Sequence, residues 1–216
     1  DCGCVAVGND GNDCDDCTGT PNGESIEDNF GICNGDGSLQ NAIDFSSAGE
    51  TLIVPAGVYE GPISITAAIN LVCSSNCIID AQGHSFGIEI KASEINVNGF
   101  EIIGDSNTVS GVTVTPGSNN VTLQNNTIHG MSLPNPSNDS PLSYGVLVYG
   151  NTDDGVNPPD NINILENNIY EVSGAGISLG DYTQNVTIQN NNIHDILSVE
   201  FQGEELSVGV QGTISE

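Results

Sequence analysis

The clearest pattern in this chain is a pair of short blocks that return together along the sequence, each alternating apolar residues with others. The first block occurs five times, as GIEI (87–90), GVTV (111–114), GVLV (145–148), GISL (176–179) and GVQG (209–212). The second follows the first four of these, as INVNGFEI (95–102), VTLQNNTI (121–128), INILENNI (162–169) and VTIQNNNI (186–193). A period of two predicts half-buried strands, and recurrence at intervals of roughly 20–50 residues predicts units that stack on one another.

The repeats therefore predict an all-β fold, a parallel β-helix whose interior is filled by columns of aliphatic side chains. In the first block the predicted inward set is Ile88/Ile90, Val112/Val114, Val146/Val148 and Ile177/Leu179. In the second block it is Ile95/Val97, Val121/Leu123, Ile162/Ile164 and Val186/Ile188.

Alignment of the second block also brings asparagines to one position. Asn126, Asn167 and Asn191 share that position, and Phe100 takes it in the first copy. We interpret the column as an asparagine ladder, because stacked amides hydrogen-bond to each other and to turn backbone groups that would otherwise be buried unpaired. The alternative is that asparagine merely marks loops.

With these repeats the chain resembles the right-handed parallel β-helix repeat proteins, the superfamily that includes pectate lyases and polygalacturonases. The resemblance runs from about Ser38 to Ile196. Its most specific part is LQNAIDFSSAGETLIVPAGVYEGPISI (39–65), which is similar to the first segment of these domains. The resemblance implies a right-handed coil more firmly than any activity, since the same scaffold carries lyases, hydrolases, esterases, adhesins and inert spacers.

The repeat region is predicted to open with a capping helix at 38–48. Ser38 is its expected N-cap, and Ala48-Gly49 is its expected end. Such a helix would cover the first unit, whose apolar core and strand edge would otherwise be exposed. The predicted buried face consists of Leu39, Ala42 and Ile43.

The composition is strongly acidic, with 29 Asp and Glu against one basic residue, Lys91, and a formal charge of −28. Nucleic acid and anionic membranes would be repelled, and no apolar run approaches the about 20 residues of a membrane span. The 216 residues suit a Cys/Asp/Gly-rich amino-terminal segment, 1–37, followed by the β-helix, 38–216. Because the chain begins at Asp1 rather than Met, we predict a processed, secreted protein, extracellular or at the cell surface.

Seven cysteines also indicate an oxidising compartment. Cys73 and Cys77 bracket a tight turn and are predicted to form a local disulfide, with a buried free pair as the alternative. Disulfides are likewise predicted in the amino-terminal segment, although its first four cysteines could instead form a zinc site on ligand type. The cysteines of that segment are Cys2, Cys4, Cys14, Cys17 and Cys33.

The amino-terminal segment also resembles the short Asp/Gly/Cys repeats of secreted calcium-binding modules, through NDGNDCDDC (9–17) and FGICNGDGS (30–38). Oxygen ligands at alternating positions with an intervening glycine suit Ca²⁺, which takes about six to eight oxygens. We therefore predict bound Ca²⁺, the alternative being a solvated acidic loop. The candidate ligands here are Asp10, Asp13, Asp15 and Asp16.

Insertions between the two blocks gather further acids at one edge of the predicted solenoid. Most insertions are short, but one grows to YGNTDDGVNPPDN (149–161). Long loops on one side of a solenoid often carry binding function, although neutral surface decoration is an equal alternative. The candidate calcium ligands at this edge are Asp153, Asp154, Asp160 and Asp181.

The sequence supports a polysaccharide lyase or a glycosidase less well than a structural protein. A lyase acting on acidic polysaccharide needs a strong base and positive charge, and the chain offers only Lys91, close to Glu89. A glycosidase needs two carboxylates about 5–10 Å apart, but neither outward column concentrates carboxylates. His129 and His194 occupy equivalent places with Tyr170 between them, which is typical of a repeat-related corner.

Four N-glycosylation sequons are present. Their asparagines are Asn120, Asn125, Asn138 and Asn185.

The fifth copy of the first block is not followed by a second block, so an open carboxy-terminal unit is expected. Such an end would dock on another subunit, and head-to-tail contacts that do not close into a ring generate filaments. A longer parent chain or a strand that folds back as its own cap are the alternatives. The sequence favours a secreted, non-catalytic structural or adhesive β-solenoid that is calcium-stabilised and self-assembling. The alternative is a polysaccharide-active enzyme or a carbohydrate-binding module.

Overall fold

The structure is a computed structural model that describes residues 15–132, 142–150, 155–197, 199–201, 204–206 and 208–212. Strands predominate in it. The elements in chain order are α1 (Leu39–Phe45), β1 (Glu50–Val54), β2 (Gly57–Glu60), β3 (Ile63–Ile65), β4 (Ile69–Asp80), β5 (Phe86–Ile90), β6 (Ile95–Ile103), β7 (Ser110–Val114), β8 (Asn119–Gln124), β9 (Thr127–His129), β10 (Ser143–Val148), β11 (Asp160–Leu165), β12 (Asn168–Tyr170), β13 (Gly174–Leu179), β14 (Gln184–Gln189), β15 (Asn192–His194), β16 (Val199–Phe201), β17 (Glu204–Leu206) and β18 (Val208–Gly212).

Helix α1 is bounded by two serines. The Ser38 hydroxyl accepts a hydrogen bond from the Asn41 N–H at 3.1 Å, as an N-cap does. At the other end Ser46 adopts an extended conformation, so the helix stops after Phe45 and is shorter than the predicted 38–48. Within the described ranges, no helix is both long enough and apolar enough to cross a membrane.

The helix lies over the outer edge of β3. Leu39, Ala42 and Ile43 are buried beneath it. The Gln40 side chain then pairs with Ser64 as a neighbouring strand would: Nε2 donates to the Ser64 carbonyl at 3.0 Å, and Oε1 accepts from the Ser64 N–H at 2.7 Å. One side-chain amide therefore satisfies peptide groups that would otherwise lack partners at this edge.

The strands form two large parallel sheets, as the repeated blocks predict. The first sheet has the order β18-β13-β10-β7-β5-β3, and it collects the copies of the first block. The second sheet has ten strands, and we divide it into a leading half (β1, β4, β6, β8, β11 and β14) and a trailing half (β2, β4, β6, β9, β12 and β15). Strands β4 and β6 are long enough to contribute to both halves, whereas later units use two strands. A separate antiparallel pair joins β16 to β17.

The predicted register of the repeats is confirmed. In the first sheet Ile88 pairs with Val112, Val112 with Val146, and Val146 with Ile177. These side chains are fully buried, as are most of the other predicted inward residues of both blocks. The exceptions are Leu179 and the last copy of the second block, where β14 pairs only with β11 within the described residues and its apolar side chains are partly exposed.

The glycine that opens the first three copies of the first block has a steric cause. At Gly87 an added Cβ would lie 2.6 Å from the Ile102 Cγ2 atom and 2.7 Å from the Gly111 carbonyl oxygen. Gly111 and Gly145 face the same crowding from the isoleucine that follows them in the trailing half. The glycine column of the first sheet and the isoleucine column of the trailing half are therefore complementary, and together they fill the interior.

Candidate functional site

The asparagine column lies at the bend between the two halves of the second sheet, and the predicted ladder is confirmed. Asn167 is 1% exposed. Its Oδ1 accepts from the backbone N–H of Asn126 at 3.0 Å and from the Asn126 side-chain amide at 3.1 Å, and its Nδ2 donates to the Leu123 carbonyl at 2.9 Å. Asn191 repeats the arrangement towards Asn167, and Asn126 accepts from the Phe100 N–H. Each amide thus joins two adjacent units.

In the amino-terminal segment, the Asp16 carboxylate organises a loop. It accepts hydrogen bonds from the Thr18 hydroxyl at 2.6 Å, from the N–H groups of Thr18 and Thr20 at 3.0 and 2.9 Å, and from the Ser25 N–H at 3.1 Å. The Thr18 hydroxyl and these N–H groups hold the pKa of Asp16 well below its usual range, against the opposing effect of burial. The ionised carboxylate therefore accepts hydrogen bonds from backbone N–H groups that a helix or strand would otherwise satisfy.

Asp28 does the same in a second loop. It accepts from the N–H groups of Phe30, Ile32 and Gly37 at 2.8, 3.0 and 3.2 Å. Burial alone would raise the pKa of Asp28, but the three backbone donors outweigh it and lower the pKa below its ordinary 3.8. Phe30 packs on Tyr59 with ring centroids 5.8 Å apart, so the second loop rests on the repeat region.

These two loops are internal copies that our reading of the sequence missed. Each places an Asn-Gly pair after its aspartate, at Asn22-Gly23 and Asn34-Gly35. A Cβ atom at either glycine would collide with the aspartate carboxylate of the same loop. The repeated Asp and Asn-Gly spacing in the sequence is the signal that could have predicted this pair of loops.

Two disulfides are present among the described residues, and both confirm predictions. Cys17 is bonded to Cys33 with a Cα–Cα distance of 5.5 Å, and Cys73 to Cys77 with 5.7 Å. The alternative zinc site is wrong, because the Cys17 sulfur is already bonded to Cys33. Disulfides suit an oxidising environment. Three of the predicted disulfide cysteines lie outside the described residues: Cys2, Cys4 and Cys14.

The candidate calcium ligands are only partly described. Asp15, Asp16, Asp160 and Asp181 are placed by the structure, and two of them, Asp16 and Asp160, accept hydrogen bonds from neighbouring residues. Across the described parts of the chain, no three His, Cys, Asp or Glu side chains come together as a metal-binding group. Calcium binding stays a prediction. The other four candidates lie outside the described residues: Asp10, Asp13, Asp153 and Asp154.

Asp160 nevertheless borders an open pocket of about 270 Å³ at the start of the leading half. Its Oδ1 accepts from the Asn185 side chain at 2.7 Å, and its N–H donates to Asn119 Oδ1 at 3.0 Å. Asp160 therefore joins its own strand, β11, to β8 through Asn119 and to β14 through Asn185. The pocket is lined by Asn119, Asn157, Pro158, Asp160 and Gln184.

Three of the four sequon asparagines are described, and all three are exposed at corners. Asn120, Asn125 and Asn185 have φ angles of 55°, 55° and 50°, in the left-handed region. The Asn120 amide donates to Glu94 and the Asn185 amide to Asp160, so both are bonded within the chain. Glycosylation stays a prediction. The fourth sequon asparagine, Asn138, lies outside the described residues.

The two predicted equivalent histidines belong to one aromatic stack on the trailing half. Tyr170 lies between His129 and His194, with ring centroids 4.6 and 5.1 Å away and planes within 4° and 9° of parallel. His129 Nε2 also lies 3.1 Å from a Glu101 oxygen. Adjacent parallel strands place these rings over one another, as expected of a repeat-related corner.

The outward side of the leading half forms a face whose two columns contain no charged residue, a feature that the sequence did not predict. Carboxylates border this face: Asp160 begins β11, and Glu166 Oε2 accepts from Gln124 Nε2 of the second column at 3.0 Å. Its strands pair in register, so outward side chains stack in two columns. One column is Thr51, Asn70, Asn96, Thr122, Asn163 and Thr187. The other is Ile53, Val72, Asn98, Gln124, Leu165 and Gln189.

The outward positions of the other strands do include charged residues. On the first sheet Glu89 points outward and holds the Lys91 ammonium at 2.6 Å. On the trailing half the outward strand positions include Glu60, Asp80 and Glu101. The leading half is therefore distinguished by the absence of charge from its two outward columns.

No protein-family model, curated protein or solved structure matches this chain. A function must therefore be inferred from its own residues.

Proposed function

We propose that this chain is a right-handed parallel β-helix that serves as a secreted, non-catalytic structural or adhesive component outside the cell. The observation that carries the proposal is the continuous asparagine ladder. It runs through Asn126, Asn167 and Asn191 beside fully packed aliphatic columns, and every amide bonds to the next unit. Side chains that hold successive units in register in this way suit a rigid scaffold.

Covalent bonds support the extracellular assignment. Disulfides Cys17–Cys33 and Cys73–Cys77 belong to the first loops and strands of the described chain. They persist in oxidising compartments and are rare in the cytosol. A secreted scaffold exposed to proteases benefits from such bonds at the end that also carries helix α1.

The placement of ionisable side chains also favours a scaffold over an enzyme. The single basic residue of the chain, Lys91, is held in an ion pair with Glu89. Three of the described acids accept hydrogen bonds from within the chain, Asp16 and Asp28 from loop backbone and Asp160 from the Asn185 side chain. Their hydrogen bonds thus serve the fold.

Calcium belongs to the same proposal. A formal charge of −28 opposes compaction through self-repulsion, and divalent cations would reduce it. The pocket beside Asp160 offers carboxylate and amide oxygens, which are ligand types that Ca²⁺ accepts.

We also propose that the chain associates with itself through β14 and β15. Val186 and Ile188 of β14 are partly exposed, and within the described residues each of the two strands pairs with one neighbour only. Helix α1 covers the opposite end, so head-to-tail filaments would seat β14 on the helix-covered end of the next copy. Electron microscopy distinguishes the outcomes, since filaments support this contact and uniform monomers contradict it.

The experiment that tests the non-catalytic assignment is a turnover assay. The full chain is incubated with pectate, alginate and neutral glycans while unsaturated and reducing ends are measured. We expect no turnover. Turnover that disappears on Lys91→Ala or Asp160→Asn would contradict the scaffold role and support a polysaccharide-active enzyme. Asp44→Asn is the matched control for the loss of one negative charge.

A further inference from the structure

The face formed by the two outward columns of the leading half is the surface best suited to contact a partner. The chain carries 29 acids, yet neither outward column of this half contains one. We propose that this face binds an uncharged, polyhydroxylated polymer surface, such as an insoluble neutral polysaccharide. The inference rests on the proposed role as an adhesive component and identifies the face and the partner class.

The geometry of the face is regular. Its six strands are parallel and in register, so equivalent side chains repeat about every 4.8 Å, and each column is about 24 Å long. The two columns lie two residues apart along each strand, or about 7 Å. A regular array of this spacing suits an extended chain that presents hydroxyl groups at regular intervals.

Hydrogen-bonding groups on the face remain available for a partner. Thr122, Asn163 and Thr187 occupy consecutive positions in the first column. None of the three side chains forms a hydrogen bond to another described residue, whereas Asn70 at the other end of the column bonds to Thr51. The part of the column near β14 therefore offers hydroxyl and amide groups at successive strands.

Charge selects the partner class. An anionic polymer would meet the repulsion of the whole chain, while a neutral polymer meets none. A second copy of this chain is a poorer fit, because the two columns cover on the order of 300 Å², well below the about 800 Å² per partner of a stable protein interface. A neutral polymer tolerates a small contact when copies of the chain are linked head to tail, as proposed above, because several faces then bind one polymer together.

The test compares two matched pairs of substitutions. Thr122→Asp with Asn163→Asp adds two carboxylates to the face, on the paired strands β8 and β11. Thr127→Asp with Asn168→Asp adds the same two carboxylates to the trailing half, on the paired strands β9 and β12 of the same units. Both pairs change charge, sequons and strand propensity equally. They differ in location and in the contacts of Asn168: its Oδ1 accepts from the Asn192 amide at 2.9 Å, and an aspartate at 168 keeps that acceptor oxygen.

Binding is measured by co-sedimentation with microcrystalline cellulose and with insoluble chitin, using protein produced without glycosylation. We expect the wild type to bind at least one polymer, Thr122→Asp/Asn163→Asp to lose tenfold or more in affinity, and the trailing pair to bind like the wild type. The loss follows because a carboxylate pressed against a neutral surface loses water without gaining a partner. Melting curves establish that each variant is folded, and the single variants Asn163→Asp and Asn168→Asp replace any pair that is not.

Three results would overturn the inference. If the wild type binds neither polymer, a neutral polysaccharide is not the partner. If both pairs of substitutions weaken binding equally, the binding surface is not the face on the leading half. A wild type that dimerises in solution, with the dimer lost only in Thr122→Asp/Asn163→Asp, assigns the face to a second copy instead. Release of soluble sugars from a bound polymer would contradict the proposed scaffold role while leaving the binding face intact.

Discussion

Asn167 shows how a single side chain replaces several missing backbone contacts. At the bend between the two halves of the second sheet, strand pairing is interrupted, and peptide groups of Asn126 and Leu123 face the interior. The amide has both a donor and an acceptor, so it satisfies these groups and still reaches Asn191. Neither an aliphatic nor a carboxylate side chain offers both.

The first prediction concerns this residue. Asn167→Leu should destabilise the fold by on the order of 3 kcal/mol, because it strands the Asn126 N–H and the Leu123 carbonyl in the interior. Asn163→Ala should change stability by less than about 0.5 kcal/mol, since that side chain points outward. Urea unfolding measures both. Equal losses would contradict the assigned register.

The second prediction concerns pH and the Asp28 loop. The pKa of Asp28 is lowered in the folded state, so its stabilising effect is present above the ordinary pKa of 3.8 and is lost as pH falls through the lower folded value. Amide protection of Ile32 and Gly37 should therefore hold near neutrality and decline in acid below pH 3.8. Hydrogen exchange followed by NMR measures this decline.

Asp28→Asn should lower protection of the same amides several-fold at neutral pH, because one carboxylate oxygen becomes a donor. Asp44→Asn is the matched control, since Asp44 bonds to the Gln40 side chain and not to this loop. A pH profile that is unaffected by Asp28→Asn would assign the acid sensitivity to other groups.

The elements themselves show what the sequence could predict and what it could not. The second block occurs four times and three of its copies carry the ladder asparagine, so alignment alone placed Ile164 and Asn167 correctly. The sequence does not show why position 145 must be glycine, because the atoms that crowd it belong to Ile169 on another strand and to Gly176 in the next unit. Contacts within one repeat position are visible in a sequence, whereas contacts between different positions depend on how the two parallel sheets pack against each other.

The same limitation explains why the candidate sites were predicted less well. The two-column face emerges only when Thr122 and Asn163 are brought into register, and its residues share absence of charge rather than identity. Asp16 was predicted as a metal ligand from the spacing of its neighbouring acids and the resemblance to calcium-binding repeats. In the structure its oxygens accept hydrogen bonds from loop residues as distant as Ser25. Acid content indicates charge density, but it does not indicate which donors approach each carboxylate.

The third prediction tests the packing of strand β10. Gly145→Ala should destabilise the fold by about 1–3 kcal/mol, because the new methyl group meets Ile169 and lies 2.6 Å from the Gly176 carbonyl oxygen. Gly57→Ala is the control, since its Cβ would make only ordinary contacts with Tyr59, the nearest at 3.4 Å. Thermal unfolding compares the two variants. A loss at Gly57 as large as that at Gly145 would contradict the complementary columns.

For the whole molecule, packing must overcome a strong electrostatic repulsion between like charges. A formal charge of −28 is carried by 216 residues with one basic side chain to offset it. Screening by salt acts over about 10 Å at 0.1 M, so low ionic strength exposes the full repulsion.

The fourth prediction is that chelation lowers the melting temperature substantially in low-salt buffer and that added Ca²⁺ restores it. Sodium chloride at matched ionic strength distinguishes general screening from specific binding. Restoration by Ca²⁺ but not by sodium supports a bound ion. A transition that is indifferent to chelation would remove calcium from the proposed function.

Helix α1 and its Gln40–Ser64 contact also suggest an order in which the parts of the chain fold. Because the amino-terminal residues are synthesised first, we expect the helix-covered end to be the first part of the repeat region that can fold. We expect each later unit to fold by pairing its strands with the exposed edge strands of the unit before it. The loop-closure entropy of the whole region is then lost in small steps, one unit at a time. Assembly of this kind is a templated growth process, and loss of structure should proceed in reverse, starting from β14 and β15.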